Sequence, residues 1–455
     1  MEQRPEQHDV VIVGAGLSGI AAAVQLRTDH PERSFVVLDQ RADLGGTWDL
    51  FRYPGIRSDS DMYTLGYAFK PWTSEKAIAS GDAILGYLHE TVAEHDLASH
   101  LRLGRRVRSA DWSEGTRSWT LEAEGPDGPE SFTCSFLYLA SGYYDHDGGH
   151  RPELPGVERY GGLLVHPQEW PLDLDCSGKR VAVIGSGATA ITLVPALAEV
   201  AEKVTMVQRS PTYVAIDSDV DDEAQRLRHE VGDRAAFEMV RLRNLQNQQE
   251  RYQAARAYPE EFKKPLFDAI EEIVGRDVRE QHFTPSYQPW DQRLCLVPNG
   301  DLFHAIAKGQ AEVVTGHIET FTASGIRMES GEEVEADVVV TATGLELVNF
   351  GKIDVRFRGP VGRPRGQVHL QGRGLQRRAQ PDQRLRPPEL VVDAAPGDGQ
   401  PVLECAPEPD GRDRRHGGGA GADGRGGGDD GAPALDGGRH LGLPVAPPRL
   451  LPRAG

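Results

Sequence analysis

The chain has 455 residues, enough for two or three domains, and a formal net charge of −19. That acidity argues against a nucleic-acid-binding surface and against a basic membrane anchor. The cysteines, Cys134, Cys176, Cys295 and Cys405, form no C-x-x-C pair and no metal-ligand spacing with histidine, which disfavours a disulfide framework, a zinc site or any other metal site.

The polar start MEQRPEQHDV runs straight into a strand and shows no signal peptide. No apolar run approaches the length of a membrane span, so the expectation is a cytoplasmic protein without an integral membrane segment. Residues 9–13 (DVVIV) are a short β-branched run of the kind a buried parallel strand needs. GAGLSG follows, then the helix former IAAAVQL and a second strand, SFVVLD, at residues 34–39. Residues 179–209 repeat the plan: KRVAVI, GSGATA, the helical ITLVPALAEV and the strand KVTMVQR. The predicted fold is α/β, with two Rossmann-like dinucleotide-binding domains.

Between the two units, residues 117–122 and 131–140 alternate like antiparallel strands. Residues from about 217 to 285 are charged and helical in period, and read as an insertion. Strand patterns return at 312–315 and 325–340 and run into the turn TATG at 341–344. The expected division is a first part of one nucleotide domain at 1–158, a linker at 159–171, the second domain at 172–335, and a return to the first domain at 336–357.

From about residue 358 the chain changes character. Residues 361–455 contain no Lys, Ile, Met, Phe, Trp, Tyr, Asn, Ser or Thr. Such a stretch has too few apolar side chains to offset chain entropy and is expected to be disordered. Every residue type in it except Cys405 has a codon beginning with G or C. A GC-rich gene carries G or C at nearly every third codon position, and a one-base slip makes that position the first. The expectation is therefore a frameshifted tail.

Each glycine motif has a physical reading. In Gly14-x-Gly16-x-x-Gly19 the first glycine makes the turn, the second admits a pyrophosphate, and the third lets helix and strand pack closely. Ser18 lies inside this turn, and Asp39, closing the next strand, can accept both ribose hydroxyls. In the second motif, Gly185-Ser186-Gly187-Ala188-Thr189-Ala190, the following strand ends in Gln208-Arg209 rather than an acid. A carboxylate would repel a 2′-phosphate and Arg209 can pair with one, which favours NADPH over NADH.

Two further stretches carry more than a loop needs. Residues 45–59 read GGTWDLFRYPGIRSD, with Gly46, Thr47 and Trp48 beside a Pro-Gly turn that leads to Asp59. Residues 160–171 read YGGLLVHPQEWP, spacing Tyr160, Gly162, His166, Trp170 and Pro171. Both patterns resemble the fingerprints of type I Baeyer–Villiger monooxygenases, and the first, with QRSPTY and PWDQRLCLVPNGDLF, is similar to the ethionamide-activating group of that family. The resemblance covers about residues 9–355. The family form of the second fingerprint begins with Phe, and Tyr160 adds a hydroxyl that needs a partner if buried.

The resemblance implies FAD held by Gly14, Gly16, Ser18, Gly19, Asp39, Gly46, Thr47, Trp48, Asp59 and Val107. It implies NADPH held by Gly185, Ser186, Gly187, Ala188, Thr189, Ala190, Gln208 and Arg209. It implies Arg293 as the active-site arginine, with Asp59 orienting it, and a linker fingerprint that couples the domains. The implied reaction inserts one oxygen of O2 into a ketone to give an ester or lactone, with sulfides or thioamides as further substrates. Two alternatives stay open: another flavin enzyme, N- or S-oxygenating or a simple NADPH oxidase, and an inactive product lacking the family's C-terminal part.

Overall fold

The computed structural model describes residues 4–292, 294–358, 368–371, 374–377 and 390–392. The chain opens with β1 (Glu6–Val13), α1 (Leu17–Asp29) and β2 (Phe35–Asp39). Two single-turn helices, α2 (Thr47–Leu50) and α3 (Met62–Leu65), precede α4 (Gly81–Glu94) and β3 (Leu101–Leu103). A meander of β4 (Arg106–Ser113), β5 (Ser118–Gly125) and β6 (Gly128–Leu139) follows, then β7 (Tyr144–Gly149) and β8 (Leu163–Val165). The second unit is β9 (Arg180–Ile184), α5 (Ala188–Ala198), β10 (Lys203–Gln208) and β11 (Tyr213–Asp217). Helices α6 (Asp222–Val231), α7 (Asp233–Ala257), α8 (Pro259–Val274) and α9 (Arg276–His282) form the insertion, ahead of β12 (Leu294–Pro298), α10 (Asp301–Ala307) and β13 (Ala311–Thr315). The antiparallel ribbon β14 (Ile318–Phe321), β15 (Gly325–Met328) and β16 (Glu333–Glu335) leads to β17 (Val338–Thr341), β18 (Leu345–Leu347) and β19 (Asp354–Arg358).

The first sheet runs β19-β4-β5-β6-β1-β2-β3, and β1 lies parallel between β2 and β6 with Val10–Val13 buried. The second runs β13-β10-β9-β17-β8, all parallel, with Val181–Ile184 buried. A parallel strand covered on both faces reads as an unbroken apolar run, which is what DVVIV and RVAVI are.

Two boundaries differ from expectation. Residues 338–341 belong to the second sheet, pairing β17 with β9 and β8, and the chain rejoins the first sheet only at β19 beside β4. Residues 163–165 of the linker form β8, the edge strand of the second sheet. The reason is periodicity: three residues between two glycines and a histidine carry too short a pattern to separate a strand from a connector. Within the stretch 358–455 expected to be disordered, Leu390–Val392 pairs parallel with β6. Residues 359–367, 372–373, 378–389 and 393–455 lie outside the described residues. Among the described residues no helix is long and apolar enough to cross a membrane, and no cluster of His, Cys, Asp and Glu is arranged to hold a metal ion.

Candidate active site

The first glycine turn shows why each glycine is needed. Gly14 has φ +114°, and a Cβ there would sit 2.2 Å from the Ala140 carbonyl oxygen at the end of β6. A Cβ on Gly19 would meet the Gly14 oxygen at 1.7 Å, so α1 packs directly on the turn. Gly46, with φ +57°, faces Gly16, and a Cβ on it would lie 3.1 Å from the Gly16 Cα. No side chain caps α1, so its first amides are free to take an anion.

These turns border a cavity of about 450 Å³. Of the residues predicted for FAD, Gly14, Gly16, Ser18, Asp39, Thr47, Trp48, Asp59 and Val107 line it, while Gly19 and Gly46 are not among its lining residues. Asp39 is buried; one carboxylate oxygen accepts from the Ala15 amide at 2.6 Å and the other from the Arg41 amide at 2.8 Å. A carboxylate has about four lone-pair sites, so two remain for ribose hydroxyls. Burial pushes the Asp39 carboxyl above its ordinary value, against those two amide bonds. The donor and acceptor set, the tight glycine turns and the flat wall of Trp48 fit a dinucleotide such as FAD.

The cavity also takes in residues that the motifs did not flag. His146, on β7, lines it with its Nδ1 unpartnered, and burial holds its imidazole below the ordinary value, beside Asp39. At the rim Asp147 pairs with Arg106 at 2.6 Å and with Lys352 at 3.0 Å, and Lys352 also reaches Asp145 at 2.6 Å. These pairs tie β4, β7 and the turn before β19 together around the opening. No motif spacing announces them, because the partners are far apart in sequence.

The second turn repeats the first. Gly185 has φ +138°, and a Cβ there would lie 2.3 Å from the Ala342 carbonyl oxygen, the counterpart of Ala140. Gly187 stands at the N-cap of α5 with no side-chain cap, Ala188 opens the helix, and Ala190 is fully buried beneath it. Ser186 bonds the Thr212 hydroxyl at 2.9 Å, steadying the loop after β10. Arg209 is exposed at the end of β10, where a 2′-phosphate can reach it. Gln208 is different: its amide nitrogen donates to the His282 carbonyl at 2.7 Å and the Thr315 hydroxyl at 2.9 Å. That side-chain nitrogen is committed to holding α9 on β13, so the expected contact of Gln208 with NADPH is reduced to its other atoms.

The acids beyond the Pro-Gly turn separate cleanly. Asp61 caps α3, accepting from the Thr64 amide at 3.0 Å and from Asn244 of α7 at 2.9 Å. Asp59 is exposed at the cavity edge. Its expected partner, Arg293, lies outside the described residues.

The linker fingerprint docks on the second unit. The Tyr160 hydroxyl donates to the Ala336 carbonyl at 3.0 Å, the partner that the extra hydroxyl requires. A Cβ on Gly162 would strike Tyr160 and the Asp337 carbonyl. His166 accepts from the Gln168 amide at 3.2 Å on Nδ1, and its ring packs flush on Gly149. Trp170, ahead of Pro171, is buried in an apolar cluster with Leu50, Phe51 and Tyr53. The two fingerprints therefore share one core.

Comparison with known proteins agrees with this geometry. Residues 8–238 match the family model for pyridine nucleotide-disulphide oxidoreductases. The FAD-containing monooxygenase EthA of Mycobacterium tuberculosis is 51% identical over 349 residues, 76% of this chain and 71% of the relative. Cyclohexanone monooxygenase from Rhodococcus sp. Phi1, solved bound to NADP+, is 27% identical with a TM-score of 0.62, covering 78% of this chain and 74% of that one. An ε-caprolactone-bound cyclohexanone monooxygenase is 25% identical with a TM-score of 0.65, covering 78% and 77%. With half of the aligned residues identical over most of both lengths, the chain belongs to the family of FAD-containing monooxygenases, flavoproteins that work with FAD and NADP.

Proposed function

We propose that this monooxygenase inserts one oxygen atom of O2 into a ketone to give an ester or lactone, and that it also oxidises soft sulfur compounds such as sulfides or thioamides. The observation that carries this reading is the pair of fingerprints meeting in one apolar cluster between two glycine turns, one of which borders the cavity. Support comes also from the structural neighbours, one of which is a cyclohexanone monooxygenase holding ε-caprolactone.

Bound FAD supplies hydride acceptance from NADPH and the activation of O2. The chain's residues supply position and charge. The free amides of α1 and the buried Asp39 hold the FAD pyrophosphate and ribose, and Trp48 offers a flat wall beside Asp59. The N-terminus of α5 and Arg209 hold NADPH, with the guanidinium selecting the 2′-phosphate. Arg293, placed by the motif PWDQRLCL, stabilises the oxyanion that develops when the ketone carbonyl is attacked, and Asp59 orients it. Residues 1–158 and the return strand form the FAD domain in this reading, and the stretch from about residue 358 is translated out of frame.

The test is Arg293→Ala in FAD-loaded protein. The variant is expected to keep its bound flavin, read by absorbance, and to lose ketone oxygenation entirely. Ester formation at the wild-type rate would remove Arg293 from the reaction.

A further inference from the structure

The first fingerprint loop runs into a single turn of helix, α3, that is held from outside the first unit. Asp59 and Ser60, just before α3, and Leu65, its last residue, line the FAD cavity. The helix is only Met62–Leu65, and one turn is unstable in water without outside support. The long helix α7, in the insertion that follows β11, supplies that support at both ends. At the N-terminal end Asp61 caps α3, accepting from the Thr64 amide at 3.0 Å, and the Asn244 side chain donates to the same carboxylate oxygen at 2.9 Å. At the C-terminal end one guanidinium nitrogen of Arg241 donates to the carbonyls of Tyr63 at 2.7 Å, Thr64 at 3.1 Å and Gly66 at 2.8 Å. Carbonyls at that end of a helix have no partner within it. Between the two ends, Phe237 of α7 lies against the Tyr63 ring with centroids 5.9 Å apart, both side chains fully buried. Positions 237, 241 and 244 fall on one face of α7, and that face meets α3.

We propose that Arg241 is a positioning residue for the flavin: by closing the C-terminal end of α3 onto α7, it fixes Asp59 and Leu65 in the wall of the FAD cavity. This rests on the assignment of that cavity to FAD. With a ribose on Asp39 and the pyrophosphate at the first glycine turn, the flavin ring falls to the part of the wall that Trp48, Asp59 and Leu65 form. Arg241 is half-buried, and its charged donor is directed at three backbone carbonyls of one turn. Hydrogen bonds from a charged donor are stronger than neutral ones, and their loss leaves three acceptors without that donor. A turn of four residues then unwinds rather than shifts. Asn244 acts on the same turn, so once either end is free the bond at the other end holds little. Asp59 stands two residues before the cap Asp61, and Leu65 is bonded into the turn itself, so a displacement of α3 passes directly to the cavity wall.

The experiment dilutes FAD-loaded, full-length protein and follows FAD release by flavin fluorescence, with the visible band of the bound flavin recorded at saturating FAD and the thermal midpoint measured alongside. It compares wild type, Arg241→Met, Arg241→Lys, Asn244→Ala, the Arg241→Met/Asn244→Ala double variant and Arg228→Ala. Arg228 bonds Asp233 at 2.7 Å and Gln225 at 3.2 Å, within the insertion, and so controls for a general weakening of α7. Arg241→Met keeps the apolar stem and removes the donors and the charge. It should weaken FAD by about tenfold, roughly 1.4 kcal/mol, and shift the flavin band even at saturation. Arg241→Lys, with three donors on one nitrogen, should recover part of the affinity and of the band. Asn244→Ala should act in the same direction as Arg241→Met, and the double variant should lose less than the sum of the two. Arg228→Ala should lower the thermal midpoint and leave FAD affinity and the band unchanged. An Arg241→Met protein with a lowered thermal midpoint but wild-type FAD affinity and band would overturn the positioning role, and so would an equal loss of FAD in Arg228→Ala. Wild-type protein that takes up no FAD would instead overturn the assignment of the cavity, and the role of Arg241 with it.

Discussion

At the scale of single residues, the glycines and the polar contacts around them make the sharpest predictions. Gly14→Ala forces a side chain into φ +114° and against the Ala140 carbonyl, so it should cost about 1–3 kcal/mol and empty the FAD site, read by denaturation and flavin absorbance. Tyr160→Phe restores the usual ring of its fingerprint but leaves the Ala336 carbonyl without its donor, at a cost of about 1 kcal/mol in chemical denaturation. Arg209→Ala should raise the KM for NADPH while leaving that for NADH unchanged, because only the former carries the phosphate that the guanidinium pairs with. The sequence made the turn at Gly14 and Gly16 and the acid Asp39 legible, since a turn, a close approach and a carboxylate at a strand end are local demands. It did not reveal His146 or the Arg106–Asp147–Lys352 rim, whose partners come from separate strands and meet only through the fold.

At the scale of elements, one buried and one half-buried histidine set a pH dependence. His166 in the linker and His282 at the end of α9 both have their imidazoles held below the ordinary 6.5 by burial. In the unfolded chain these groups take up protons as the pH falls through about 6.5, whereas the folded chain takes them up only at lower pH. Stability is therefore full above that value and is lost as the pH drops below it. The thermal midpoint should fall between about pH 7 and pH 5, and His166→Gln should flatten part of that fall. The apolar runs of β1 and β9 were readable because buried parallel strands are continuous in hydrophobicity. The strand β8 was not, being only LLV between glycines and a histidine. Leu50, Phe51 and Tyr53 did leave a signal: a short loop of the first domain has no use of its own for that many apolar side chains.

At the scale of the whole molecule, the two units are joined by the fingerprint loop, by the Arg57–Asp301 pair and by the linker strand β8. The alignment with EthA spans 76% of the chain and 71% of the relative, so part of the relative's length has no match here. The composition of residues 361–455, in which every residue type but Cys405 has a codon beginning with G or C, is what a slipped frame in a GC-rich gene predicts. Resequencing the gene from about codon 350 should find the slip, and restoring the frame should raise the thermal midpoint and tighten flavin retention; an intact single frame through the stop would refute it. The central claim is that the two nucleotide sites serve the oxygenation of a ketone. Its most direct measurement is the ratio of ester or lactone formed to NADPH consumed by the purified, FAD-supplied protein with a cyclic ketone under air. A ratio near one-to-one is predicted. Bound flavin and steady NADPH consumption with hydrogen peroxide as the sole product would contradict it.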